Sequence, residues 1–483
     1  MWSRGRVFLA VSPRELLLHR IMASSSASGV ADAQRAALLA TPSPDAERAY
    51  YAALSAAAAK SGAGDVRVRR VAHGKGLVAA RSFKKGERVL VEAPLVGMQA
   101  ETNRADAQVC GFCFRWVGTV ESQIARRLLR GDMSSTCERN GVCKEFLENL
   151  RDGTTRLPLS SEAQFKLPEI SKNEGGEVFC GVECANQSWA RHGKLLRGSE
   201  GKDFLEHARD TNDIFILSAK VLLTVAGQAL ARVPGDDEAA GEGADISKQH
   251  SPPAPDGTAA TQQALLKAWE PFHHGHKQIW WEAVARPTDV ASGAAELEFR
   301  DSMREIATES LNLLKKTLPT QFLSRLPGLF TLEVFASVVG MFELNNLEIA
   351  VASPVEDYFL MIDELGDTQI TAITNPLLDA LDTGYCTPCE GSGFFALQSC
   401  LNSDCDPNVA PTKDDCDVDG KCVLVAKRDI NENEELTMCY VDETKDVQTR
   451  RGELRDYGFE CQCETCVAQA EGRGTVRRGS KTK

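Results

Sequence analysis

Three cysteines fall within six residues in Cys461-Gln462-Cys463-Glu464-Thr465-Cys466. Thiolates spaced this closely can turn inward on one tetrahedral ion and leave a single position open. The fourth ligand has to come from elsewhere, and Cys405, in the turn-rich run Asn402-Ser403-Asp404-Cys405-Asp406-Pro407-Asn408, is a candidate. A second set, Cys110 and Cys113 with Cys180 and Cys184, makes a complete four-thiolate site across a long loop. Sixteen cysteines grouped in short-spaced pairs favour metal thiolates over disulfides. Zinc is the default metal, and about two structural ions are expected. Cys137 and Cys143 read equally well as unliganded thiols, and His192 lacks partners at the spacing a further site requires.

A chain of 483 residues can bury a full core without disulfides. Its charged fraction of 25% and hydrophobic fraction of 43% are ordinary for a globular protein, and no uncharged apolar run reaches the length of a membrane span. A net charge of −13 argues against a general electrostatic grip on nucleic acid and suits a basic protein substrate. Neither a membrane nor direct nucleic-acid binding is therefore expected. The opening segment sets Arg4, Arg6, Arg14 and Arg20 against a single acid, Glu15, a composition shared by transit peptides and by solvated leaders. Met22, ahead of an Ala/Ser-rich stretch, is an alternative start. The run Arg473, Arg477, Arg478, Lys481 and Lys483 reads as a solvated end, with a weak nuclear signal as the sharper reading.

From Val66 to Val96, short β-branched runs punctuated by Gly74, Gly76 and Lys84-Lys85-Gly86 predict a small antiparallel sheet. A helical region starts near Phe204 and is interrupted by an acidic Gly/Pro/Ala-rich loop over 234–261, too polar to order itself. Apolar residues at Phe299, Met303, Ile306 and Leu313 predict an amphipathic helix that Pro319 ends. Thr331 reads as the N-cap of another, with Leu332, Phe335, Val338 or Val339, and Phe342 inward and Asn345-Asn346 at its end. Short strands with tight turns return from Phe394 to Val441.

Four motifs in this order resemble one family. They are Gly74-Lys75-Gly76-Leu77, Asn402-Ser403-Asp404-Cys405-Asp406-Pro407-Asn408, a strand ending at Tyr440, and Tyr457-Gly458-Phe459-Glu460-Cys461 with its cysteines. Together they are similar to the SET and post-SET pattern of protein lysine methyltransferases. The long cysteine-opened insert resembles the SET-and-MYND group. Cys110-Gly111-Phe112-Cys113-Phe114-Arg115-Trp116-Val117-Gly118, Met341-Phe342-Glu343-Leu344-Asn345-Asn346-Leu347 and Ala352-Ser353-Pro354-Val355-Glu356-Asp357-Tyr358-Phe359 resemble its plant trithorax-related branch.

The resemblance implies an α+β fold: a β-rich SET core of short curved sheets, split by a zinc finger and a helical insert, with a zinc-bound post-SET segment. The implied order is a disordered or targeting leader with a short helix over 1–60, the first SET part over 61–108 and a degenerate MYND-like finger over 109–198. A helical insert over 199–340, the second SET part over 341–445, a post-SET segment over 446–468 and a basic tail over 469–483 complete it. The implied reaction is methyl transfer from S-adenosylmethionine to a lysine side chain of a protein, histone H3 by analogy, in the nucleus, with transcription factors as further partners. A catalytically silent scaffold for transcription factors, or a methyltransferase of non-histone or organellar proteins, are the alternatives.

Carried over residue by residue, the pattern puts Tyr440 at the point of transfer and Tyr457 in the lysine channel, with Phe394 and Phe395 as further wall. Lys75, Gly76, Asn345, Asn402, Ser403, Tyr440 and Phe459 would hold the cofactor. Cys405 would join Cys461, Cys463 and Cys466 around one zinc, and Cys110, Cys113, Cys180 and Cys184 would hold the other. Two departures stand out. Ser403 replaces the family's histidine while Asp404 adds an acid, and the finger's second zinc set keeps only His192, with Leu196 where a cysteine would close it.

Overall fold

A computed structural model describes residues 28–160, 171–172, 177–192, 196, 199–233, 255–275 and 277–473. The basic opening segment up to residue 27, most of the expected 234–261 loop and the tail from 474 lie outside the described residues. Within that loop a helix already starts at Pro255 and runs to His273, because Leu265, Ala268, Trp269 and Phe272 supply an apolar face that the core takes up.

The β-rich part begins with Val66–Val71 (β1) and Gly74–Ala79 (β2), which form the expected antiparallel hairpin. Gly74 takes a φ of 103° at its turn, a backbone state that disfavours a side chain. Arg88–Glu92 (β3) and Val96–Gln99 (β4) follow, then the finger's Ser171–Lys172 (β5) and Val178–Phe179 (β6). After the helices come Leu347–Val351 (β7), Cys389–Phe394 (β8), Asn402–Ser403 (β9), Val409–Pro411 (β10), Cys422–Ala426 (β11) and Glu435–Met438 (β12). They assemble as β1-β2-β12-β9, β10-β11-β3, β4-β8-β7 and the small pair β5-β6. β9 and β12 run parallel, with Asn402 opposite Thr437 and Ser403 opposite Met438. That crossover sets Asn402 beside the strand leading to Tyr440. Leu77, Leu90, Phe395, Leu424 and Leu436 fill the space between these sheets.

The helical insert has its own core. Ile214–Ala231 is long and apolar enough to cross a membrane, yet most of it is buried inside the protein, and Lys220 within it donates to Gly97 O at 3.0 Å. It is the central helix of this core. Ala294–Lys316 buries Met303, Ala307, Leu311 and Leu314, so the stripe is turned slightly from the one expected, and Phe299, Ile306 and Leu313 pack at its border. Leu332–Asn345 follows Thr331 as expected and is buried continuously from Val334 to Phe342. A Cβ on Gly340 would lie 2.1 Å from Gln278 O, so this helix presses directly on the 278–280 backbone.

Two expected boundaries cut through packing units. Val120–Leu128 and Lys144–Arg151, assigned above to the finger, share a core with Pro354–Leu365 and Thr368–Leu381, assigned to the second SET part. Ile124, Leu128, Leu147 and Leu150 meet Tyr358, Phe359, Ile362 and Leu377 there, and neither apolar stripe could be buried alone. The leader assignment over 1–60 is likewise corrected for its latter part. A helix over 28–39 and Pro44–Ser61 are both folded onto the body. Gln34 donates to Arg325 O and accepts from Gly328 N, Leu38 is fully buried, and its carbonyl accepts from Trp269 Nε1.

Candidate active site

Four cysteines close the site from the post-SET side. The sulfurs of Cys405, Cys461, Cys463 and Cys466 all lie within 4.8 Å of one another, with Cys405 at 3.9 Å from Cys461 and 3.5 Å from Cys466. A regular tetrahedron with a metal–sulfur distance of about 2.3 Å sets its sulfurs about 3.8 Å apart, so this donor set fits zinc. Arg450, almost fully buried, donates from Nη2 to Cys466 Sγ at 3.4 Å and to Gln469 Oε1 at 2.7 Å, which offsets thiolate charge and orients the cluster. Cys110, Cys113, Cys180 and Cys184 form an equivalent set, with 3.5 Å from Cys180 to both Cys113 and Cys184. Among the described residues no further cluster joins His192, Cys137 or Cys143. Leu196 is buried in the helical core, a place where a thiolate would be unfavourable.

Between this clamp, the β1-β2 hairpin and the end of Leu332–Asn345 opens a cavity of about 850 Å³, within the usual size of small-molecule sites. Lys75, Asn345, Asn402, Tyr440, Tyr457 and Phe459 line it, six of the residues the sequence singled out. Tyr440 donates its hydroxyl to Leu401 O at 2.5 Å, and its ring lies 5.0 Å from Tyr457 and 6.4 Å from Phe459. Burial, then the Tyr457 phenol, pushes its pKa to about 12, so the hydroxyl stays protonated at neutral pH. Asn402 Nδ2 donates to Lys75 O at 3.2 Å and Glu435 Oε1 at 2.8 Å, tying β9 to the hairpin and to β12.

The other residues singled out lie outside this lining. Phe394 and Phe395 are core residues: Phe394, which ends β8, packs in the helical core against Phe272 and Phe342, and Phe395, just past the strand, packs in the sheet core. Gly76 lacks a side chain for a packing reason, since a Cβ would lie 2.6 Å from Val71 Cγ2. Ser403 is held by its strand pairing, with its Oγ buried and without a hydrogen bond. Asp404, whose charge threatened the cofactor site, is also outside the lining. Its backbone N–H donates to Met438 O and its carboxylate accepts from Asp406 N at 2.9 Å.

Two walls carried no sequence signal. One is Leu39 to Pro42, the link between the N-terminal helices; the other is His273 to Gly275 together with Lys277 to Ile279. Lys75 Nζ donates to Tyr51 OH at 2.8 Å and His274 O at 2.6 Å, and Lys277 Nζ donates to Phe272 O and His273 O. Burial, then Lys75, lowers the Lys277 pKa to about 8, and burial lowers His273 to about 4 and His274 in the same direction. Lys75 and Lys277 thus put positive charge on this wall, where they can face an anionic ligand end, with Glu47 and Glu282 elsewhere in the same lining. Glu92 was also missed. Its carboxylate accepts from Leu397 N and Gln398 N, both at 2.9 Å, and so anchors the turn that presents Ser399, Leu401 and Asn402 to the cavity.

Short curved sheets, a parallel crossover beside a thiolate-clamped segment, and an aromatic cavity at their junction define a SET domain with its post-SET cap. A SET-domain family model matches residues 244–441. The chain is 36% identical over 437 residues to histone-lysine N-methyltransferase ATXR2 of Arabidopsis thaliana, covering 82% of this chain and 88% of that protein. It is 26% identical to protein-lysine N-trimethyltransferase SMYD5 of Gallus gallus over 83% of this chain and 85% of that protein. A shorter stretch of 81 residues is 42% identical to histone-lysine N-methyltransferase SMYD3 of Homo sapiens, 16% of this chain and 18% of that protein. The chain belongs to the SET-domain protein-lysine methyltransferases, in the SET-and-MYND group on the side of its plant branch. Its methyl donor is S-adenosylmethionine, its substrate is a protein, and its two cysteine clusters can hold zinc.

Proposed function

We propose that this enzyme methylates a lysine in a histone tail, histone H3 foremost, and acts in the nucleus on chromatin, with transcription factors as further partners. The likeness to a relative named a histone-lysine methyltransferase supports the substrate class, as does a net charge of −13 opposite a basic tail. One observation carries the site assignment: Tyr440, Tyr457 and Phe459 converge with Asn402 and Lys75 on a single cavity.

The bound S-adenosylmethionine supplies an activated methyl group on a sulfonium. Phe459 would cover its base, Asn402 and Asn345 would hydrogen-bond its polar groups, and Lys75 and Lys277 would face its carboxylate. Tyr440 and Tyr457 would form the wall along which a lysine amine is aligned, and the post-SET segment packed over the cavity would exclude water. The protonated Tyr440 hydroxyl, pinned to Leu401 O, keeps its ring fixed and adds no charge beside a cation. Gly76 and Ser403 contribute through backbone alone, and Phe394 and Phe395 stiffen the channel from behind.

The silent-scaffold reading rests on Ser403, Asp404 and the finger's incomplete second zinc set, and of these the Asp404 carboxylate is engaged with Asp406 N. Labelled methyl transfer to core histones and to total nuclear protein, followed by peptide mass measurement, tests the proposal. Histone H3 should be labelled, and Tyr440→Phe should lower the rate by about 10² with cofactor affinity nearly kept, the scale of losing one positioned polar group. Cofactor binding without labelling of any protein would favour the scaffold.

A further inference from the structure

A second groove lies apart from the reaction cavity, and the two share no lining residue. It encloses about 660 Å³ between β7, the start of the helix Pro354–Leu365 and the loop joining β10 to β11. Its floor is apolar, built from Trp116, Val351, Pro354 and Pro388, and Val418 stands half-exposed at its rim. β7 and β10 are each the outermost strand of their sheets, and the outward residues Glu348 and Ala350 of β7 are exposed. Outermost strands of this kind accept an extended chain through main-chain hydrogen bonds, and on β7 this leaves the Glu348 end of the edge, since Ala350 O is already taken by Lys413 Nζ.

The rim decides which chain. Glu348, Glu356, Asp357 and Asp415 line it and form no ion pair among the described residues. The nearby cations are mostly committed: Lys413 Nζ donates to Ala350 O and Asp419 O, Lys421 pairs with Asp419, and Arg88 pairs with Asp414 and Asp417. Arg115 also lines the groove, so four free carboxylates face two cations outside any ion pair, Arg115 and Lys413, the latter tied down by main-chain carbonyls. Burial, then Asp415 and Glu356, raises the Asp357 carboxyl, the direction expected where like charges lack a counter-ion. A single metal ion would leave the apolar floor and the strand edge unused.

We infer that this groove docks an extended, arginine- and lysine-rich segment of a partner protein, laid along the edge of β7 with its cations on the Asp357–Asp415 rim. The interaction goes beyond methyl transfer, since it holds residues of the partner remote from the reacting lysine. Fluorescence anisotropy on the full zinc-loaded chain tests it with a labelled peptide alternating arginine and valine, which offers no lysine to the reaction cavity. The double variant Asp357→Lys/Asp415→Lys should weaken binding about tenfold or more, because it replaces attraction by like-charge contact. Glu305→Lys/Glu309→Lys changes net charge equally on an exposed face elsewhere and should leave the affinity unchanged. Calorimetric S-adenosylmethionine binding, expected to be unaltered in both variants, reports that the fold is kept. Methyl transfer to histones, assayed separately, reports on the enzymatic reading. Equal weakening in both double variants, or equal binding of a peptide alternating glutamate and valine, would overturn the docking site. So would tighter peptide binding after truncation following Arg473, which would make the chain's own basic tail the occupant.

Discussion

Glu92 illustrates how one side chain sets the geometry of others that it never touches. Its two backbone hydrogen bonds fix the turn at Leu397 and Gln398, the next residues carry Leu401 O, and that carbonyl receives the Tyr440 hydroxyl. Burial raises the Glu92 pKa from 4.5 to about 7, against the backbone donors that lower it. A carboxyl whose folded pKa lies above its unfolded value stabilises the fold fully below about pH 4.5, and that contribution is lost as pH rises through about 7. At 1.36 kcal/mol per pKa unit the difference is on the order of 3 kcal/mol. Glu92→Gln cannot ionise and keeps one acceptor oxygen, which in the Oε2 position reaches both N–H groups, while its NH2 replaces the oxygen nearest Leu397 N at a cost that does not vary with pH. Thermal unfolding of the two proteins at matched pH should therefore show the variant gaining on wild type between pH 4.5 and 7.5. A constant gap in Tm across that range would mean that Glu92 is ionised throughout.

At the scale of elements, the two thiolate clusters differ in what they hold. The post-SET cluster fastens Val447–Leu454 and the Tyr457–Phe459 turn over the cavity, with Leu454, Tyr440 and Phe459 packed around the sulfurs. The finger cluster packs with Val117, Phe179 and Ala185, and its sulfurs are not part of the cavity wall. Metal binding and local folding are one equilibrium at such sites. Cys463→Ser should thus weaken S-adenosylmethionine binding by about tenfold or more, the usual scale for disturbing a metal's surroundings, while Cys113→Ser leaves it near wild type. Calorimetric titration of both variants checks the contrast, and equal losses would show that the finger also supports the cavity. These clusters were readable in the sequence because two or three ligands of each fall within a few residues, although the remaining ligands lie far along the chain. The strand hairpin and the Thr331 helix were readable for the same reason, their periods being local. That Phe394 packs with the helices and Phe395 between the sheets, both outside the cavity lining, was not legible because two adjacent aromatics look alike in sequence.

Across the whole molecule, the cavity is assembled from segments some four hundred residues apart, and its two unsignalled walls have no motif because they act through position. The composition of residues 28–61, rich in alanine, gave no hint that this stretch braces the site. Its role follows from the contacts: Leu39 to Pro42 form a wall, Tyr51 OH accepts from Lys75, and Trp269 Nε1 reaches back to Leu38 O. A chain beginning at Ser43 would strip Leu38 from the core, about 2 kcal/mol for a fully buried leucine. It would also leave the N–H groups of Trp269 and Gly328 without partners, each costing about 1–3 kcal/mol. That chain should unfold several degrees lower than one beginning at Met22, and should bind S-adenosylmethionine about tenfold more weakly, equivalent to about 1.4 kcal/mol. The chain beginning at Met22 keeps both helices and should match the full chain in both respects. Lowered Tm with unchanged cofactor affinity would reduce the helix over 28–39 to a structural brace, whereas loss of both makes residues 39–42 a part of the cofactor site that lies far from every motif.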